Sequence, residues 1–141
     1  MIQLTDQSTR WSIRENSERA VTGFVDRFLR LAEPAGRDFE RRAVRRVPFP
    51  HLVTLTPIDD AELISIGDPI SVVGKQLAGR GLDFFHCDPL GFKRAVVSFD
   101  SSIGLHEQLI LSLSWCRFLK PGWYDSGGRF THVVKPQVNE S

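Results

Sequence analysis

The stretch RRAVRRVPFPHLVTL, Arg41 to Leu55, sets four guanidinium groups, those of Arg41, Arg42, Arg45 and Arg46, directly ahead of an apolar run. Guanidinium groups this close repel one another unless water, carboxylates or an anionic ligand answers them, and their planar forks fit phosphate oxygens in pairs. The chemistry to look for is anion binding. Asp38 and Glu40 are local acids that could answer the charges instead. The arginines form two overlapping R-x-x-x-R registers, Arg41 with Arg45 and Arg42 with Arg46. In an extended or turning segment, residues four apart can face one ligand while the chain between them curves around it.

Other reactive residue types do not assemble into a catalyst. In FFHCDP, His86, Cys87 and Asp88 are adjacent, but neighbours on a strand point to opposite faces, so His86 and Cys87 do not converge on one reacting atom. His51, His106 and His132 lack zinc-ligand spacing. LAGRGL and DSGGR are glycine-bearing, yet neither has the pattern of a dinucleotide or triphosphate loop. With no coherent nucleophile, base and oxyanion set, the expectation is a binding function rather than an enzyme, with no metal and no cofactor.

Composition narrows the partners. The 141 residues suit one domain, and Lys+Arg 18 against Asp+Glu 17 leaves a net charge of +1. Bulk charge therefore makes no case for wrapping nucleic acid or coating an anionic membrane, and any anion specificity must be local. No secretory pattern opens MIQLTDQSTRW and no apolar run approaches the roughly 20 residues of a bilayer span, so a cytoplasmic chain is expected. Cys87 and Cys116 show neither C-x-x-C spacing nor scaffold density and are expected as buried free thiols.

The elements that must position the arginines follow from periodicity. From Ser12 to Ala32 the residues Val21, Phe24, Val25, Phe28, Leu29 and Ala32 recur at helical spacing, opposite Arg19, Asp26, Arg27 and Arg30. Ser12 with Glu15 makes a capping box, Asn16 or Ser17 offers a later start, and Pro34 with Gly36 stops the helix. Its apolar stripe either docks on the rest of the domain or forms a protein-partner or homodimer surface. Beyond it, HLVTLTPI, ISVVGKQL, GLDFFHC, FKRAVVSFD, EQLILSLSWCRF and GWYDSGGRFTHVV read as six strands separated by Gly, Pro and Asp turns. Six short strands favour a small antiparallel barrel or sandwich, with Trp11, Trp115, Trp123 and the phenylalanines Phe84, Phe85, Phe92, Phe99, Phe118 and Phe130 filling its core. The expected division is a helical extension over residues 1–36, a β domain over 37–135 and a polar, frayed tail over 136–141.

An arginine pair just before a first strand, followed about thirty residues on by a glycine-punctuated strand start, resembles a PilZ domain over Glu40 to Phe130. The resemblance implies a mainly β protein, a six-stranded antiparallel PilZ-like barrel preceded by an amphipathic helix, that binds cyclic di-GMP through R-x-x-x-R and [D/N]-x-S-x-x-G segments. RAVRRVP fits the first with Arg42 and Arg46, with Arg41 and Arg45 as the competing register. QLAGRGLDF stands where the family shows its second segment, so Gln76 replaces the acid, Ala78 replaces the serine and Gly81 keeps the glycine. WCRFLKPGWYDSGGRF, with Gly128 two residues before Phe130, is similar to the family's closing hairpin.

The resemblance implies cyclic di-GMP as the ligand of Arg41, Arg42, Arg45, Arg46, Gln76, Ala78 and Gly81. Gln76 offers one acceptor oxygen where a carboxylate offers two, and Ala78 has no hydroxyl, which together weaken binding by about 2–4 kcal/mol. Arg80 or Lys75 could substitute phosphate contacts. The alternative is a degenerate barrel that does not bind the messenger and serves as a protein-interaction or assembly domain.

Overall fold

The computed structural model describes residues 9–15, 17–32, 46–59, 61–99 and 108–137. Their order is β1 (Trp11–Glu15), α1 (Glu18–Ala32), β2 (Val47–Pro48), β3 (Leu52–Ile58), β4 (Ile70–Ala78), β5 (Gly81–His86), β6 (Arg94–Ser98), β7 (Gln108–Lys120) and β8 (Trp123–Pro136). The six strands read from the sequence are β3 to β8. Each pairs antiparallel with its neighbours in the order β8-β5-β4-β3-β6-β7, and β7 returns to β8, closing a six-stranded barrel.

The lengths of β7 and β8, 13 and 14 residues, make closure possible. Tyr124–Arg129 of β8 lies against β5, while the same strand follows β7 from Trp123 to Val134. Breaks in the β7–β8 register at Ile110/Leu111, Leu113/Trp115 and Phe118/Lys120 let this pair bend around the barrel. Its turn is Pro121–Gly122, with Gly122 at φ 89° in the left-handed region that glycine enters without strain.

The core has two parts because some strands are covered on both faces. Val53, Leu55, Leu77, Leu82, Phe84, Val97, Leu109 and Leu111 line one buried cluster together with Val21, Phe24, Val25, Phe28 and Leu29 of α1. On the opposite face Ile58, Val96, Ile110 and Val134 are buried with Trp11 of β1. Burial on both sides explains why AVV in β6 and LIL in β7 are continuous apolar runs rather than alternating ones.

The helix is part of this core. Phe28 meets Phe99 at 4.3 Å and Phe49 at 5.6 Å between ring centroids, so the stripe docks on the barrel instead of being left for a partner. Of the starts read from the sequence, the later one, at Ser17, is the one observed. Trp11–Glu15 is a strand paired with Val133–Pro136 of β8, and the helix begins after Ser17, whose Oγ accepts from the Ala20 amide at 3.1 Å. The Ser12–Glu15 capping box does not form, because the free edge of β8 takes up this segment as a ladder and fixes its dihedrals as extended. β8 runs to Pro136, and the Gln137 amide donates to the Arg10 carbonyl at 2.8 Å.

Both cysteines are exposed, against expectation. Cys87 follows the last core-facing residue of β5, His86, and Cys116 sits where β7 has run beyond its β6 neighbour, whose pairing ends at Ser112. The same overrun corrects the aromatic expectation, since Trp115, Phe118 and Trp123 are 39%, 60% and 37% exposed. Phe28→Ala is expected to lower unfolding free energy by about 3–5 kcal/mol. A chemical denaturation series checks this, and a loss below about 1 kcal/mol would mean that the helix does not belong to the barrel core.

Candidate functional site

The outer face of β4, β5 and β8 gathers the residues that a ligand would meet. β2 pairs with β4 through Val47 opposite Leu77 and Pro48 opposite Gln76, which holds Arg46 beside the end of β4. Gln76 in turn stands opposite Asp83 of β5, and Asp83 opposite Gly127 of β8. Strand alternation turns Leu77, Leu82 and Phe84 inward, so Gln76, Ala78, Gly81 and Asp83 share the outer side.

Arg46 reaches across this face. Its Nη1 donates to Asp83 Oδ2 at 2.5 Å and to Gln76 Oε1 at 3.4 Å. The carboxylate side chain is 11% exposed and the arginine 60%, so a largely buried acceptor holds a largely exposed donor. Beside them lies an open concavity of about 310 Å³ lined by Arg46, Ala78, Arg80, Gly81 and Asp83 on one side and by Ser114, Trp115, Gly128 and Arg129 on the other. Three guanidiniums, one indole and one carboxylate therefore surround one hollow. Such a set can hold phosphate oxygens, stack a flat ring and accept hydrogen bonds from ring nitrogens.

Two glycines make the hollow. A Cβ on Gly81 would strike the Gly128 carbonyl oxygen, so the close approach of β5 to β8 requires its absence. A Cβ on Gly127 would collide with Asp83 Oδ1 and come within 2.6 Å of the Trp115 ring, so Gly127 is the floor on which those side chains rest.

Next to the hollow runs a neutralised row. Asp125 is fully buried, and its carboxylate accepts from Arg117 Nε at 3.1 Å, from Arg117 Nη2 at 2.8 Å and from Lys75 Nζ at 3.0 Å. The Arg117 hydrogen bonds hold this carboxyl below the usual carboxylate range, burial opposes them, and Lys75 adds to the lowering. Lys75 also lies 5.4 Å from the Phe85 ring centroid, and Arg117 lies 5.8 Å from that of Trp115. Lys75 thus turns to Asp125 rather than into the hollow, whereas Arg80 lines it.

Of the residues read from the sequence, Arg46, Gln76, Ala78 and Gly81 come together here. Arg41, Arg42 and Arg45 lie outside the described residues. Asp83, Trp115 and Arg129 were missed. The signal for Asp83 was its place in GLDFFH, a single acid on the outward phase of an otherwise apolar strand. Trp115 carried no such signal, because only the overrun of β7 exposes it.

A buried polar pair lies elsewhere in the barrel. His86 and Ser126 are buried, with His86 Nε2 2.7 Å from Ser126 Oγ. His86 Nδ1 lies 2.8 Å from the Asp88 carbonyl, which can only accept, so Nδ1 carries the hydrogen. Among the described residues no three His, Cys, Asp or Glu side chains cluster as metal ligands, and no helix is long and apolar enough to cross a membrane. A second hollow of about 300 Å³ by Val73, His86, Leu90, Phe92 and Trp123 is mostly apolar and has no Lys or Arg among its described lining residues, so the first is the better anion candidate.

Comparison with protein-family models, with curated proteins and with solved structures found no match. The class is defined by geometry alone, a closed six-stranded antiparallel barrel with a guanidinium-rich concavity on its outer face.

The Asp125 charge gives a pH signature. A carboxyl whose native value is lowered supplies stability that is complete above its unfolded value of about 3.9 and is lost as the pH falls below it toward the native value. Asp125→Asn is expected to melt below wild type at neutral pH, with the difference shrinking across that acid window. A thermal-melt series against pH checks it, and a constant difference would mean that the ion pairs contribute no net stability.

Proposed function

We propose that the chain is a PilZ-type binding module of the cytoplasm whose outer concavity receives cyclic di-GMP. The carrying observation is convergence: Arg46 and Gln76, thirty positions apart, are in hydrogen-bond contact beside Ala78 and Gly81 at one hollow. These are the positions at which the chain resembles the family's two binding segments. Further support comes from Arg80 and Arg129, which add guanidiniums suited to phosphates, and from Trp115, whose exposed indole suits a purine face.

The ligand bears two phosphate charges and guanine rings, and an arginine can fork onto the first or lie flat on the second. Arg46 precedes β2 at the edge of the described barrel, so a ligand entering the hollow meets it at the rim. The proposed role is sensing rather than chemistry. Ala78 brings no hydroxyl to the site, and the affinity is correspondingly reduced.

A second reading rests on a different observation. The ends of β7 and β8 expose Trp115, Phe118, Leu119 and Trp123, large apolar side chains suited to a protein partner in a barrel that does not bind the messenger. Titration calorimetry separates the two. Saturable heat with cyclic di-GMP, weakened about tenfold or more by Arg46→Ala, is the expected result. No heat at a ligand concentration of about 100 µM would overturn the messenger reading and leave the interaction module.

A further inference from the structure

We infer that Asp83 supplies, from the neighbouring strand, the carboxylate absent at Gln76, and that it makes the concavity select guanine over adenine. This inference rests on the messenger reading above. Asp83 and Gln76 are direct partners in the β4–β5 ladder, on the same outer face. Moving an acid from one to the other shifts it by a single strand spacing of about 4.8 Å, within the breadth of one base.

The surroundings of Asp83 argue for a ligand contact. Among the described side chains lining the hollow it is the one carboxylate, beside the guanidiniums of Arg46, Arg80 and Arg129. For an anion alone, a nearly buried carboxylate in that position is a liability, since it repels the phosphates that the arginines attract. The liability disappears if the ligand brings donors. Guanine presents N1–H and N2–H on one edge and can give both to a carboxylate, whereas adenine presents the bare N1 acceptor there and is repelled.

Geometry holds the carboxylate ready. Oδ2 accepts from Arg46 Nη1, and Oδ1 lies over Gly127 beside the Trp115 ring. A base entering the hollow beside that indole would bring its edge toward Asp83, and Arg46 would remain within reach of both the carboxylate and a phosphate. Gln76, which accepts from the same Nη1 at 3.4 Å, becomes a helper of Arg46 rather than the base-reading residue.

The test titrates wild type, Asp83→Asn and the swap Gln76→Asp/Asp83→Asn with cyclic di-GMP and with cyclic di-AMP, each variant checked for a cooperative melt. Wild type is expected to prefer the guanine ligand by about ten- to a hundredfold, Asp83→Asn to lose most of that preference, and the swap to recover part of it. If Asp83 only clamps Arg46, Asp83→Asn changes both ligands by the same factor, and the inference is overturned while the messenger reading stands. Equal binding of the two ligands by wild type also overturns it. Binding of neither ligand by wild type instead defeats the messenger reading itself. Should Asp83→Asn fail to melt cooperatively, the wild-type preference and the Gln76→Asp single variant decide. A second acid beside Asp83 is then expected to weaken cyclic di-GMP binding through like-charge repulsion, and a gain would count against Asp83 as the acceptor.

Discussion

One strand, β8, is shared by three others, and the rest of the structure depends on that sharing. It bonds to β5 along its first half, to β7 from Trp123 to Val134 and to β1 from Val133 to Pro136, so the sheet has no choice but to close. Closure brings β5 and β7, distant in sequence, to the two sides of Gly127. Asp83 and Trp115 then meet above a residue with no side chain. Without the shared strand there would be a β-sheet but no concavity beside Arg46.

The electrostatics of the outer face divide into two zones of different purpose. Around Asp125 a buried carboxylate is matched by Lys75 and Arg117, and the aromatic rings of Phe85 and Trp115 cover the cations. That row is closed on itself. Around Asp83 the donor is an exposed arginine at the rim of an open hollow, with two further guanidiniums in its walls. Arg46 is solvated while Asp83 is nearly buried, so a ligand that draws Arg46 away has to answer the carboxylate itself.

Much of the barrel was legible in the sequence. β3, β4 and β5 carry turn residues at both ends, and β6 to β8 carry apolar runs too short for helices and rich in Val, Ile and Leu. The helical stripe from Val21 to Leu29 was equally clear, since five residues at helical spacing have few other uses. The errors have physical causes. Ser12 and Glu15 satisfy a capping pattern that many non-helical segments also satisfy, and β1 is a strand only because β8 offers it an edge. Cys87, Cys116 and three aromatics were assigned to the core by residue type, but Cys87 lies just past the end of β5, and the others lie where β7 and β8 run beyond Ser112, at which β6 stops pairing with β7.

The candidate site was legible as a composition and not as a geometry. Arg46, Gln76, Ala78 and Gly81 could be named because local spacing and resemblance mark them, whereas Asp83, Trp115 and Arg129 enter from register. The sequence by itself determined the strand segments, the helix, the near-neutral charge and the presence of clustered arginines, all of which follow from side-chain type and short-range period. Only the tertiary structure decided that a carboxylate of β5 faces Gln76, that an indole of β7 overhangs Gly127 and that both border the hollow beside Arg46. Those relations are set by cross-strand pairing, and pairing depends on which distant segments close the barrel together, a long-range property that no local pattern encodes.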